Sequence, residues 1–302
     1  MFGKTHCGYQ RFKCKNCEHT YTFHNHKNKS NNERTWFKLW VVEGYSLRQL
    51  VNISKYGVKK IKRIKKYWLN QKPKEIDWNF SEIKYLLFDG TYFKHENCLM
   101  VLMNNLDNTV INFKYHIREN FETAYHIFAD LKVRGLNPEA ITIDGNTTVI
   151  RALNEVWPDI KIQRCLAHVQ RQGLSWLRRF PKLEAAKKLR WLLLTITEIK
   201  TEKDKNIFIE KFNDWELAYG KFVQSLSPKD KVFGDLQRTR SLLIHAIPKM
   251  FYFLNDHRIA ATTNKVEGYF SGLKIIYRQH RGLDKQHRDN YFNWYIYFKN
   301  IK

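Results

Sequence analysis

The stretch Ile83-Lys84-Tyr85-Leu86-Leu87-Phe88-Asp89-Gly90 decides the fold. Its core is a short continuous apolar run, as in a buried strand, and it ends in Asp-Gly. Downstream, Cys98 to Met103 and Val110 to Tyr115 read as two more strands, joined across Asn104-Asn105-Leu106-Asp107-Asn108 into a three-strand meander. Glu122 to Val133 then reads as an amphipathic helix, Ala140 to Ile143 as a buried strand, Thr147 to Val156 as a helix closed by Pro158, and Ile160 to Cys165 as a fifth strand.

Three antiparallel strands followed by αβαβ is the order of an RNase H-like core, so residues 83–302 are expected to form an α/β domain. Residues 169–255 look wholly helical and read as an all-α insertion. Thr201 with Asp204 can start a helix on which Phe208, Phe212, Trp215 and Tyr219 share a face. The chain returns at Thr262-Thr263-Asn264, continues as a helix to about Tyr277, and ends in an aromatic stretch from Tyr291 to Phe298.

Upstream, residues 71–82 hold Pro73 and several charges without periodicity and read as a linker. Residues 31–70 carry three helical patterns. The first buries Trp36, Leu39, Trp40 and Val42 and breaks at Gly44-Tyr45; the second starts at Ser46, buries Leu47, Leu50 and Val51, and turns at Lys55-Tyr56-Gly57. The third runs from Val58 to Leu69, with Val58, Ile61, Ile64 and Trp68 inward and Lys59, Lys60, Lys62, Arg63, Lys65 and Lys66 outward. Helix, short turn with Gly, then a basic helix is the pattern of a helix-turn-helix DNA reader, and these six cations are the expected DNA contacts. The competing reading is an ordinary solvated face.

Charge points the same way. Lys and Arg number 53 against 29 Asp and Glu, a formal net charge of +24 spread along all 302 residues, so a polyanion is the natural partner. The longest apolar runs, such as Trp191 to Leu194, are too short to cross a bilayer, which leaves no membrane partner. The start has no signal-peptide stretch and five cysteines is an odd number, so a reducing cytoplasm, in association with the nucleoid, is expected.

Cleavage of a phosphodiester by two divalent metals needs acidic side chains converging from different elements, with the ions roughly 3.5–4 Å apart. Asp89 closes the first strand and Asp144 the fourth, two strands that are neighbours in an RNase H-like sheet. Glu267 stands early in the helix that follows the insertion. Each has a plain alternative: Asp-Gly is common turn chemistry, and Asn264 with Glu267 resembles a capping box.

On Phe88-Asp89-Gly90-Thr91, Ile143-Asp144-Gly145, Gln163-Arg164-Cys165-Leu166-Ala167-His168 and Thr262-Thr263-Asn264-Lys265-Val266-Glu267, the chain resembles bacterial insertion-sequence transposases of the Mutator-like DDE superfamily. The resemblance runs nearly end to end. It implies Asp89, Asp144 and Glu267 as catalytic ligands of Mg²⁺ or Mn²⁺, with His168 facing the active site and Cys165 supporting it. It implies water attack that nicks the element end, then attack of the freed 3′-OH on target DNA, with no covalent protein–DNA intermediate. Double-stranded DNA, as element ends with terminal inverted repeats and as target, and a homo-oligomer that pairs two ends are the implied partners. Two other readings stay open: an inactive or domesticated DNA-binding regulator, and a metal-dependent nuclease without strand transfer.

Cys14-Lys15-Asn16-Cys17 looks like the second half of a zinc ribbon, so residues 1–28 read as a zinc-ribbon-like remnant with Cys14 and Cys17 as candidate Zn²⁺ ligands. The first Cys-x-x-Cys is missing. Cys7, His6, His19, His24 and His26 are the local candidates for the other two ligands; the alternative is a shortened half-ribbon without metal.

Overall fold

The computed structural model describes residues 2–6, 8–22, 26–93, 97–117, 120–227, 229–280 and 282–301, and leaves out the side chains of 26–30, 97, 116 and 117. The chain forms two compact units, residues 1–74 with 275–302, and residues 75–274.

The smaller unit opens with an antiparallel hairpin, β1 (Arg11–Lys13) and β2 (Thr20–Thr22). Three helices follow: α1 (His26–Val42), α2 (Leu47–Ser54) and α3 (Val58–Leu69). Ser46 starts α2 with a reciprocal cap: the Gln49 N–H donates to its hydroxyl at 3.2 Å, and its own N–H donates to the Gln49 side chain at 2.8 Å. Lys55, at φ 59°, turns the chain out of α2. The buried face of α1 is Phe37, Trp40, Val41 and Val42; Trp36 and Leu39, expected inside, are half-buried. On α3, Ile61, Ile64 and Leu69 are buried, whereas Val58, expected inside, sits in the first turn and is 49% exposed.

The aromatic C-terminal stretch groups with these helices and not with the sheet, a division the linear order of the sequence did not suggest. α12 (Lys285–Asn300) buries Tyr291, Phe292, Trp294, Tyr295, Ile296 and Phe298. Phe37 lies between Trp40, Trp68, Trp294 and Phe298, with ring centroids 5.6 to 6.2 Å away. Polar atoms on α12 close open backbone groups: the Asn290 amide donates to the Leu69 carbonyl at 2.7 Å, at the end of α3, and the Tyr291 hydroxyl donates to the Val41 carbonyl at 3.1 Å. Three short helices offer more aromatic surface than they can cover by themselves, and the fourth helix covers it.

The larger unit is mixed α/β. Its strands and first helices are β3 (Tyr85–Phe93), β4 (Asn97–Asn104), β5 (Val110–Ile117), α4 (Phe121–Val133), β6 (Ala140–Ile143), α5 (Thr147–Val156) and β7 (Lys161–Arg164). The five-stranded sheet has the order β5-β4-β3-β6-β7; β3, β4 and β5 are antiparallel, and β6 and β7 run parallel to β3. One strand differs from expectation. β3 does not close at Asp89-Gly90 but continues to Phe93, because β4 pairs with it from Leu86↔Asn104 to Phe93↔Asn97. Successive strand residues face opposite sides. Phe88, Met100 and Ile143 pack with Phe128, Leu153 and Trp157 of α4, α5 and the chain beyond. On the opposite face Tyr85 and Ala140 meet Ile259, and the Thr142 hydroxyl donates to the Ala260 carbonyl at 2.6 Å.

The insertion has a core of its own, built by α6 (Leu166–Leu177), α7 (Glu184–Thr195), α8 (Glu202–Ser225), α9 (Lys231–Ala246) and α10 (Tyr252–Asn255). Val169, Leu189, Leu193, Trp215 and Leu243 are among its buried residues. Thr201 and Asp204 form the capping box that opens α8, and Phe208, Phe212 and Trp215 are buried along it. α11 (Asn264–Tyr277) follows. Among the described residues, no helix is long and apolar enough to cross a membrane.

Candidate active site

β3 and β6 pair in parallel at Tyr85↔Ala140, Leu86↔Ile141 and Leu87↔Thr142. Continued by two residues, that register sets Asp89 level with Asp144. Asp89 stays in the sheet, opposite Val101, and is 8% exposed; Asp144 follows the last residue of β6 and leads into the turn before α5, where its Oδ1 accepts the Asn146 N–H at 2.9 Å. Neighbouring interior strands thus deliver both carboxylates to the same level of the sheet, at the carboxyl end of β6.

The other contributions come from helices. β7 ends at Arg164, Cys165 is the N-cap of α6, and His168 lies in the first turn of that helix. Glu267 is in the first turn of α11, where its N–H donates to the Thr263 carbonyl at 3.1 Å. Its carboxylate turns to α6: Arg171 grips both oxygens at 3.1 Å each, and His168 Nε2 lies 3.5 Å from Oε1. Asp89, His168 and Glu267 form one cluster whose ligand-type atoms all lie within 4.8 Å of one another. Asp144 is outside that cluster, and Cys165 stands behind His168, its Sγ 3.2 Å from Nδ1. Thr263 completes the support, donating its N–H to Cys165 Sγ at 3.3 Å and placing its hydroxyl 3.3 Å from His168 Nδ1.

The charges interact. Burial pushes Asp89 up to about 6, with the Asp144 and Glu267 charges adding to the rise and His168 and the Gly90 N–H opposing it. His168 is raised to about 9, first by its hydrogen bond to Cys165 and then by the charges of Cys165, Asp89 and Glu267, against the pull of burial. Burial acts to raise the Cys165 thiol, but the hydrogen bonds and charge of His168 and Thr263 outweigh it and hold the thiol below its ordinary value. In the metal-free protein at neutral pH, a cationic His168 and Arg171 therefore offset the carboxylates. Arg171 and Thr263 went unrecognised in the sequence. The signal for Arg171 was its place three residues after His168 on a helix, which puts both on one face.

In the smaller unit the basic face of α3 is narrower than expected. Lys59, Lys62, Arg63 and Lys66 are exposed. Lys60 is paired with Glu33, and Lys65 lies over the Trp40 ring at 4.8 Å, where burial lowers its pKa. In the N-terminal hairpin, Cys14 and Cys17 flank a tight turn: the Cys14 N–H donates to the His19 carbonyl at 2.9 Å, and backbone N–H groups of Cys17 and Asn16 hold the Cys14 thiol below its ordinary pKa. Among the described residues, neither cysteine belongs to a group of three ligand-type side chains. Cys7, His24 and the His26 side chain lie outside the described residues.

Residues 100–239 match the family described as "Transposase, Mutator family". That match supports a Mutator-like transposase. It spans Asp144, Cys165 and His168 and lies between Asp89 and Glu267. No curated protein matches in sequence. Among solved structures, the chain is similar to the Drosophila P element transposase strand transfer complex, at 12% identity over 95% of this chain and 95% of that chain, with a TM-score of 0.46. It is also similar to the simian T-cell lymphotropic virus intasome in complex with PP2A regulatory subunit B56 gamma, at 15% identity over 55% of this chain and 69% of that one, with a TM-score of 0.24.

Proposed function

We propose that the protein is a DDE transposase with an RNase H-like core. It binds the terminal inverted repeats of its element, cleaves the ends and joins them to target DNA. The observation that carries this reading is the convergence of Asp89, His168 and Glu267 from β3, α6 and α11 to within 4.8 Å, on the strand next to β6, from whose end Asp144 emerges. Carboxylate oxygens from separate elements suit a hard divalent cation, so Asp89, Asp144 and Glu267 are the residues that would hold Mg²⁺ or Mn²⁺. When bound, such ions activate the attacking oxygen and steady the leaving one.

The protein's own part is positional. The sheet fixes Asp89, the turn after β6 carries Asp144, and α11 brings Glu267 to Asp89 and His168. His168, oriented by Cys165 and Thr263, presents Nε2 to the carboxylates, where its charge can meet a scissile phosphate. In the other unit, α3 offers Lys59, Lys62, Arg63 and Lys66 to DNA phosphates or bases, in the manner of a recognition helix. Cys14 and Cys17 supply half of a zinc site, with the remaining ligands to come from the N-terminal segment. Two element ends must be held together, which calls for a homo-oligomer on DNA, and the nucleoid of the cytoplasm is its place of action.

The test is purified full-length protein with end-labelled DNA carrying the termini that flank its own coding sequence, with Mg²⁺ and with chelator. Nicked ends and strand-transferred products that both require Mg²⁺ are expected. Nicking without joining would assign a nuclease, and binding without either product a regulator; both outcomes contradict the proposal.

A further inference from the structure

Arg164 ends β7 and is 9% exposed, yet its Nε is buried without a hydrogen-bond partner among the described residues. Among the described residues, its guanidinium makes none of the close carboxylate pairs that Arg171, Arg240 and Arg258 make. Holding a guanidinium out of water in that state is costly, and a fold keeps such a group where it acts on a neighbour. The neighbour is Asp144. Ile143 pairs with Arg164 across β6 and β7, so the arginine lies beside the strand end from which Asp144 issues, and Asp144 is the first opposite charge acting on it.

Gly145 explains how the two approach. It is not among the glycines of positive φ, so no turn conformation demands a glycine there. A Cβ at that position would stand 2.3 Å from Arg164 Nη2 and 3.0 Å from Cζ. The guanidinium therefore rests directly on the backbone after Asp144, in space that any side chain at position 145 would fill. The Asn146 N–H holds Asp144 Oδ1 at 2.9 Å, which ties one oxygen to the turn, and the Asp89 and Asp144 charges repel each other.

We propose that Arg164, seated over Gly145, is a positioning residue that holds the Asp144 carboxylate toward Asp89 for metal capture. This rests on the reading of Asp144 as a metal ligand. A simple charge effect and a positioning effect have opposite signs here. Removing a cation beside a cation site strengthens metal binding by electrostatics alone; removing a group that orients a ligand weakens it, by roughly ten- to a hundredfold for partners one shell out from a metal.

The experiment is Mn²⁺ titration of the full-length metal-free protein, followed by the electron paramagnetic resonance of the free ion, for wild type, Arg164→Gln, Arg164→Lys, Gly145→Ala and Asp144→Asn, each checked for fold by circular dichroism. Arg164→Gln is expected to weaken Mn²⁺ binding about tenfold or more. Arg164→Lys, which keeps the charge but not the planar fork, is expected to restore it only in part. Gly145→Ala keeps every charged group and displaces Arg164, so it is expected to weaken binding as Arg164→Gln does, and it carries the test if Arg164→Gln does not fold. Unchanged or tighter binding in Arg164→Gln or Gly145→Ala overturns the proposal. If Asp144→Asn weakens binding and these two do not, only the role of Arg164 falls. If Asp144→Asn leaves Mn²⁺ binding intact, the reading of Asp144 as a ligand falls, and the proposal with it.

Discussion

At the scale of single residues, the site is defined by a carboxylate kept where its charge is unwelcome. Asp89 is 8% exposed and its pKa is pushed from 3.8 to about 6, mainly by burial. Its folded-state pKa lies above its unfolded value, so the native state holds the proton more tightly, and ionisation between pH 4 and 6 costs stability, up to about 3 kcal/mol. His168, raised from 6.5 to about 9, contributes stability that is complete below 6.5 and lost as pH rises through 9. The metal-free protein should therefore lose Tm from pH 4 upward. Asp89→Asn should raise the Tm in chelator at pH 7 by a few degrees while abolishing activity; calorimetry of both proteins across pH 4–8 checks this. A variant that melts lower than wild type above pH 6 would contradict it. The residue types of this site were legible in the sequence, but the environment that shifts Asp89 was not. Burial and the approach of His168 and Glu267 depend on elements about 80 and 180 residues further along the chain, beyond the reach of any local pattern.

At the scale of elements, α6 does two jobs: one face enters the core of the helical insertion through Leu166 and Val169, and another carries His168 and Arg171 to the site. Periodicity finds α2, α3, α4, α5 and β6 at or near their observed bounds, because an amphipathic or wholly buried run is a local signal, but it starts the first helix at Asn31 where α1 begins at His26. It missed the length of β3. Asp89-Gly90 looks like a turn when read alone, and only the pairing with β4 keeps it in the strand. It also overcounted the free charges of α3, since nothing in a helical pattern reveals that Glu33 or the Trp40 ring will claim Lys60 and Lys65. A consequence can be measured. If α3 contacts DNA phosphates, replacing Lys62 or Lys66 with Ala should lower the slope of log binding constant against log salt by about one each, whereas Lys60→Ala should change the slope by much less. Equal slopes for all three variants would argue against α3 as the contact surface.

At the scale of the whole chain, two units of different character arise from one sequence: a small aromatic helical unit and a sheet with a helical insertion. The chain's last segment completes the small unit. Its aromatic richness was plain in the sequence, but its destination was not, because rings pack equally well on a sheet or on helices and the linear order favoured the adjacent sheet domain. Truncation before Lys285 should strip Phe37, Trp40 and Trp68 of their cover; hydrogen exchange should then show lost protection in α1 and α3, with β3, β6 and α5 unaffected. Retained protection in α1 would contradict the packing described. The claim that unites the molecule is that Asp89, Asp144 and Glu267 act together on DNA. Its most direct test is single-turnover reaction of end-labelled element DNA with Mg²⁺ by wild type and by Asp89→Ala, Asp144→Ala and Glu267→Ala, each shown first to bind that DNA as wild type does. Wild type is expected to nick and join, and none of the three variants to do either; wild-type cleavage by any one of them would show that the three carboxylates do not act as one site.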